Sequence, residues 1–398
     1  MMFSCFGICG VFVLGYLALG TRLVLSDTLP DIRSDSTSAL LSILKKFEGT
    51  RNHVTNPDGK KDARNYIIET FQKYNLHVWT ERAQIGNALF AENVVGMIRS
   101  NRTGTADDQI VIVGAHYDTT KNTAGVDDNG SGVTALLQIA KNIGTARCAV
   151  NNTILFVAFD FEEDTAECTV SPLWGICCGS NRFVNNITKY LNSTGGTISG
   201  AIVLETMLNH NSSSGSQQFP HGFEKLLPDV FNEIRNDAMR GNFLAVSGRK
   251  ESDKKLLSLI EKHFLEDSKY RAQFMQIPIK GRPSLSPVSK YYEHFYRSDH
   301  YSFWDTNASY TALVLTDTAD FRGYMRHCYH KECDDLSHVK ENNLEFLQRS
   351  INAVIKTVLD LSEVDSCKPV GENLAGVSVT SNLLLLLLLT MLVGTFLM

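Results

Sequence analysis

The residues of this chain best suited to chemistry stand where an apolar run hands over to a loop. His116 closes the run that begins at Gln109, and Asp118 follows two positions later. Asp128 lies in Gly-Val-Asp-Asp-Asn-Gly-Ser-Gly over 125–132, a turn leading into a helix. Glu162 and Glu163 follow the run 153–159, Glu205 closes the run 200–204, and His330 stands late in the chain beside Tyr329. In an α/β sheet, ligands gather at the carboxyl ends of parallel strands. Two imidazoles and three carboxylates delivered there could converge on a divalent metal, and mixed nitrogen and oxygen donors suit zinc. An isolated acid pair is usually a solvated turn. Glu162-Glu163, however, ends a long apolar strand, where uncompensated carboxylates would be costly to bury and metal coordination would remove that cost.

The order His-x-Asp, Gly-x-Asp-Asp-Asn-x-Ser-Gly, Glu-Glu, a strand-end acid and Tyr-His-x-x-x-Asp resembles the co-catalytic zinc exopeptidases. That superfamily includes leucyl aminopeptidases, glutamate carboxypeptidases and glutaminyl cyclases. The resemblance runs over about 52–361. It implies two zinc ions per chain, with His116, Glu163 and Glu205 as terminal ligands, Asp128 as the bridge and His330 completing the second ion. It also implies Glu162 as general base acting on a metal-bridging hydroxide, and Asp118 orienting His116 as metal-bound histidines usually require. Asp127 competes with Asp128 for the bridge; family spacing selects Asp128 and implies a cis peptide just after it. The family usually has Asp where this chain has Glu205. The segment 298–303 resembles one near the substrate, so Asp299 and His300 become second candidates, whereas His294, His327 and His338 read as surface or structural.

Apolar strands at 76–80, 92–97, 109–114, 153–159, 198–204 and 311–315 alternate with helical patterns at 38–47, 60–74, 131–143, 178–190 and 252–266, the last capped by Ser252. A final helix carries Leu344, Leu347, Ile351, Ile355 and Val358 on one face. Such alternation predicts an α/β fold, a three-layer sandwich with a mostly parallel central sheet flanked by helices. The catalytic domain is expected over 27–366 as one unit.

The composition is that of a globular protein: 398 residues, 43% hydrophobic and 20% charged. A net charge of −5 without a basic stripe argues against a nucleic-acid partner. Both ends read as processing signals. Residues 1–20 are short and apolar, as a signal peptide is. Residues 383–398 form an apolar block with no basic flank, preceded by small residues and a polar spacer (367–382), the pattern of a glycosylphosphatidylinositol signal. The expected setting is the extracellular face of the cell membrane, held by a C-terminal lipid anchor. Sequons at Asn101, Asn151, Asn186, Asn192, Asn211 and Asn307 agree with secretion, while Asn129 fits the pattern inside the metal loop. Cys328 and Cys333 bracket His330, where a disulfide would staple the ligand loop.

These readings converge on exopeptidase hydrolysis of peptide substrates with release of N-terminal residues. Glutaminyl cyclisation, carboxypeptidase action, for which Arg297 would be the carboxylate anchor, and a non-catalytic surface receptor of the same fold are the alternatives.

Overall fold

A computed structural model describes residues 31–85, 89–163 and 178–367. The expected signal (1–20), the tail (383–398) and Cys168 and Cys177, two further cysteines expected to form disulfides in an oxidising compartment, lie outside the described residues. In chain order the strands are β1 (His77–Ile85), β2 (Leu89–Ile98), β3 (Gln109–His116), β4 (Ala149–Val150), β5 (Ile154–Phe159), β6 (Thr197–Glu205), β7 (Phe243–Arg249), β8 (Arg271–Ile277), β9 (Ala312–Thr316) and β10 (Val364–Ser366). Eight of them form one sheet in the order β1-β2-β5-β3-β6-β9-β7-β8, and β10 pairs with β4 apart from it. The centre, β5-β3-β6-β9, is parallel; β1, β2 and β5 pair antiparallel, as do β7 and β9. This is the expected mixed, mostly parallel sheet between helical layers.

The central strands are apolar on both faces because both faces are covered. Alternation along β3 sends Val111, Val113 and Ala115 into one core and Ile110 and Ile112 into the other. The first core is closed by Leu136, Ile139 and Ile143 of the helix Gly132–Ala146 and by the face Leu344, Leu347, Ile351, Ile355 and Val358 of the helix Glu341–Ser362. The second is closed by Phe183, Val184, Phe303 and Trp304. The helix Pro57–Lys73 starts with a proline in its first turn and an Asn56 side chain that accepts from Gly59 N–H at 3.0 Å.

Two readings of the sequence need correction. The helix expected over 252–266 runs Lys254–Phe264, and Ser252 does not cap it. Ser252 Oγ instead accepts from Gly281 N–H at 3.0 Å, and the residue at the cap position, Asp253, gives its carboxylate to the buried Arg249 at 2.8 Å. The same pair explains why β7 was not anticipated: an arginine at a strand end reads as surface, but Asp253 neutralises Arg249 so completely that both are fully buried.

Candidate metal centre

The C-terminal ends of β3, β5 and β6 lie side by side, because these strands are parallel neighbours. They deliver His116, the Glu162-Glu163 pair and Glu205 to one edge. Asp118 connects the first two deliveries. Its Oδ1 lies 3.5 Å from His116 Nδ1, and its two carboxylate oxygens accept from the backbone N–H of Glu162 (3.1 Å) and Glu163 (3.2 Å). One buried carboxylate thus fixes both an imidazole and the acid pair. Behind it, Asp160 pairs with Lys60 at 2.5 Å and accepts from Phe161 N–H at 2.9 Å, setting the turn by which the chain leaves β5.

The loop carrying Asp128 is held from three sides. Gly125 has φ 65°, and a Cβ there would meet Thr119 at 2.5 Å and the Asp128 carbonyl at 2.9 Å, so the turn requires glycine. The buried Asp334 accepts from Asp127 N–H (2.9 Å) and Asp128 N–H (3.0 Å). Arg51, also buried, donates to the carbonyls of Gly125 (2.8 Å) and Tyr117 (2.8 Å). Asn129 joins the loop to β6, donating to Leu204 O at 2.9 Å and accepting from Thr206 N–H at 3.1 Å. The Asp128–Asn129 peptide is cis. Asp127 spends its carboxylate on Leu208 N–H and the Ser131 hydroxyl, whereas Asp128 faces two imidazoles.

His330 comes from the loop closed by the Cys328–Cys333 disulfide, with its ring stacked on Tyr329 at 3.8 Å. His116 Nε2 lies 3.5 Å from Asp128 Oδ1 and 3.3 Å from Glu205 Oε2; His330 Nε2 lies 3.2 Å from Asp128 Oδ2 and 3.1 Å from Glu163 Oε2. Ser298 Oγ donates to Glu205 at 2.8 Å. Single donor atoms of His116, Asp128 and Glu163 fall within 4.8 Å of one another.

These residues fit a metal. Asp128 Oδ2, Glu163 Oε1 and His330 Nε2 are buried yet align with no hydrogen-bond partner, an arrangement proteins avoid unless another group satisfies them. Charge points the same way, since four carboxylates (Asp128, Glu162, Glu163 and Glu205) meet only two imidazoles. Burial, with Asp128 adding to it, pushes the Glu163 carboxyl up to about 8. Burial likewise drives Glu162 well above its ordinary value, with His116 opposing and Glu163 and Glu205 reinforcing. Against the cost of burial, Asp128 and Glu163 lift the His330 imidazole to about 10. A divalent cation would relieve this crowding of negative charge.

Beside the centre a cleft opens to solvent. Phe219, Phe223, Phe295, Met275 and Val314 wall it, and Glu162, Glu205 and Tyr329 mark its inner end. Phe219 stacks on Phe223 with centroids 4.2 Å apart. Arg297 also lines the cleft, but its guanidinium already pairs with Asp320 at 3.1 Å and meets Tyr329 Oη at 3.3 Å.

All seven site residues read from the sequence gather here. Asp299 is wholly buried behind them, where burial raises its carboxyl to about 7. His300 lines the cleft too, with its Nε2 meeting Phe295 O at 2.8 Å and its ring packed edge-on against Trp304. His338 stacks on Tyr324, and His327 and His294 are exposed, as expected, His294 at the cleft wall. The sequence reading gave no role to Asp334 or Arg51. For Asp334 the signal was present, as the last position of Tyr-His-x-x-x-Asp.

The sequence profile of Peptidase family M28 matches residues 93–258, a span holding six of the seven site residues. The uncharacterized protein YfbL of Escherichia coli is 25% identical over 295 residues, 72% of this chain and 77% of that protein. Two solved structures share the fold. A leucine aminopeptidase precursor from Bacteroides thetaiotaomicron has TM-score 0.55 and 15% identity over 82% of this chain and 99% of its own. A glutaminyl cyclase from Fimbriiglobus ruber has TM-score 0.54 and 14% identity over 81% and 95%. The M28 match falls across the segment that builds the metal centre, and there and in its sheet the chain is similar to the co-catalytic zinc exopeptidases.

Proposed function

We propose that this protein is a zinc-dependent exopeptidase that removes N-terminal residues with apolar side chains from peptides. The observation that carries the reading is the convergence of His116, Asp128, Glu163, Glu205 and His330, with buried atoms of Asp128, Glu163 and His330 that lack an aligned hydrogen bond. The two oxygens of Asp128 face different imidazoles, which supports two ions: His116 and Glu205 would hold one, Glu163 and His330 the other, and Asp128 both. When bound, zinc supplies a water acidified to a pKa of about 7 and polarises the scissile carbonyl.

The chain's own groups do the rest. Glu162 lines the inner end of the cleft without being needed as a ligand. It would take the proton of the attacking water and return it to the leaving amine, a transfer worth on the order of 10²–10⁴-fold. Asp118, through the Glu162 N–H, holds that base in register with His116. The aromatic wall takes the side chain of the residue to be released and excludes water from it. Acids at the cleft's inner end favour a terminal ammonium, while Arg297, the guanidinium a terminal carboxylate would need, is already committed to Asp320.

One peptide in three forms tests this: free at both ends, N-blocked and C-blocked. Cleavage that requires only a free N-terminus is expected. Dependence on a free C-terminus would make the protein a carboxypeptidase, and cyclisation of an N-terminal Gln without cleavage would make it a cyclase.

A further inference from the structure

The sequons are not spread evenly over this fold, and their placement follows from strand direction. The metal centre occupies the edge where β3, β5 and β6 end. The opposite edge is where β3, β5, β6 and β9 begin and where the antiparallel β2 ends, since Ile98 pairs with Ile154. Asn101 follows Ile98 by three residues, Asn192 precedes β6 by five, and Asn307 precedes β9 by five, so all three belong to that opposite edge. Asn186 lies part-way along the outer helix Cys178–Thr194, which runs from the metal edge to the opposite one. These four asparagines are exposed; Asn186 Nδ2 makes one long bond, to Glu81 Oε2 at 3.5 Å, and Asn307 Oδ1 accepts from Arg282 at 2.9 Å, and both bonds are compatible with an amide that keeps one N–H.

The remaining sequons are buried, half-buried or use the amide nitrogen for two bonds. Asn129 is fully buried in the metal loop, with its amide on Leu204 O. Asn211, six residues past Glu205, is half-buried on the metal side, and its Oδ1 accepts from Ser213 N–H at 3.0 Å. Asn151 uses its amide nitrogen twice, on Glu363 O at 3.0 Å and Asp365 Oδ1 at 2.8 Å. A second observation is independent of the sequons. The disulfides Cys148–Cys367 and Cys328–Cys333 are the bonds of an oxidising compartment, the one in which asparagine-linked sugar is added.

We propose that Asn101, Asn186, Asn192 and Asn307 carry N-linked oligosaccharides, which cover the outer helix and the edge opposite the metal centre and leave the catalytic edge bare. In the transfer, the Asn Nδ2 bonds to the anomeric carbon of an oligosaccharide held on a lipid pyrophosphate. The carbon–oxygen bond to that pyrophosphate breaks, the lipid pyrophosphate leaves, and the amide gives up one proton. The modified amide keeps one N–H, so Asn151 would have to surrender one of its two bonds, which is why it is left out of the assignment. Cys367, the last described residue, is tied to Cys148 just ahead of β4, at the sugar-bearing edge. A tether there would point the cleft away from whatever holds it.

The test uses the full chain, made and folded in a eukaryotic secretory pathway. Treatment of the folded protein with peptide N-glycosidase F in ¹⁸O-water converts each occupied Asn to a marked Asp that peptide mass mapping locates. Marks at 101, 186, 192 and 307, none at 129 or 211, and zinc content unchanged by sugar removal are expected. The variant with all four residues changed to Gln should show no mobility shift on glycosidase treatment. Absence of marks at the four positions, a mark on Asn129 or Asn211, or a persisting shift in the variant would overturn the assignment. None of these readouts depends on peptidase activity.

Discussion

At the metal centre each ligand hangs from a strand end or a stapled loop, and a buried polar partner fixes the backbone beside it. In the adjoining cleft the walls come from loops and strands far apart in sequence, and they meet largely through aromatic rings. Asp118 and Asp334 place donors to within hydrogen-bond tolerance, whereas Phe219, Phe223 and Phe295 need only fill space. Catalytic constellations lose function when displaced by fractions of an ångström, while apolar surfaces absorb changes of shape at modest cost. Substitutions at the centre should therefore act nearly as all-or-none, and those in the cleft by degrees.

The sharpest contrast comes from Asp128→Ala. Among the described residues Asp128 alone pairs with both imidazoles, so its loss leaves two cations without a shared anion. Metal analysis should find zinc depleted, with activity down by at least ~1,000-fold, beyond the 10–100-fold typical of an outer partner. Two tightly held ions in this variant would remove Asp128 from the role. Glu162→Gln should behave differently, since a base is lost but no ligand is. Zinc content should stay at the wild-type level while kcat falls at least ~100-fold. Depleted zinc would mean that Glu162 is a ligand instead.

Asp334→Asn probes the support rather than the site. Asn has one acceptor oxygen where Asp334 satisfies two backbone N–H groups, so Asp127 or Asp128 N–H would face an amide donor. Zinc affinity, measured by competition with a chelator, should drop about 10–100-fold. Unchanged affinity would show that the loop holds its shape without this clamp.

How much could be read from the sequence divides along the same line. The site residues were legible because a parallel strand's carboxyl end is a predictable address: His116, Glu163 and Glu205 each follow an uninterrupted apolar run. Glu205 departs from the usual Asp but still reaches within 3.3 Å of His116 Nε2, with Ser298 steadying its longer side chain. Arg51 was not legible, because a cap that serves carbonyls at Tyr117 and Gly125 is invisible until the chain folds back on itself. The cleft was lost with β7 and β8. The run Arg-Ala-Gln-Phe-Met-Gln-Ile of β8 alternates weakly, as an edge strand does, and gives Met275 no local sign that it will line a pocket.

That same diffuseness sets the size of the last expected effect. Phe223 is sandwiched between Phe219 (4.2 Å) and Phe295 (6.2 Å) on the cleft wall, so Phe223→Ala removes one ring and lets its neighbours relax into part of the gap. A single methylene of contact between a substrate and an apolar pocket is worth about 1–3 kcal/mol, or roughly 10–200-fold. Partial relaxation puts the expectation near the lower figure, about 10-fold in kcat/KM for peptides beginning with a large apolar residue. Peptides beginning with Ala, which do not fill the wall, should lose little, and zinc content should not move. A uniform loss across both peptide classes would mean that Phe223 supports the fold rather than selecting the substrate. A change in zinc content would mean that cleft and centre are not separable, and the contrast drawn between them would fail.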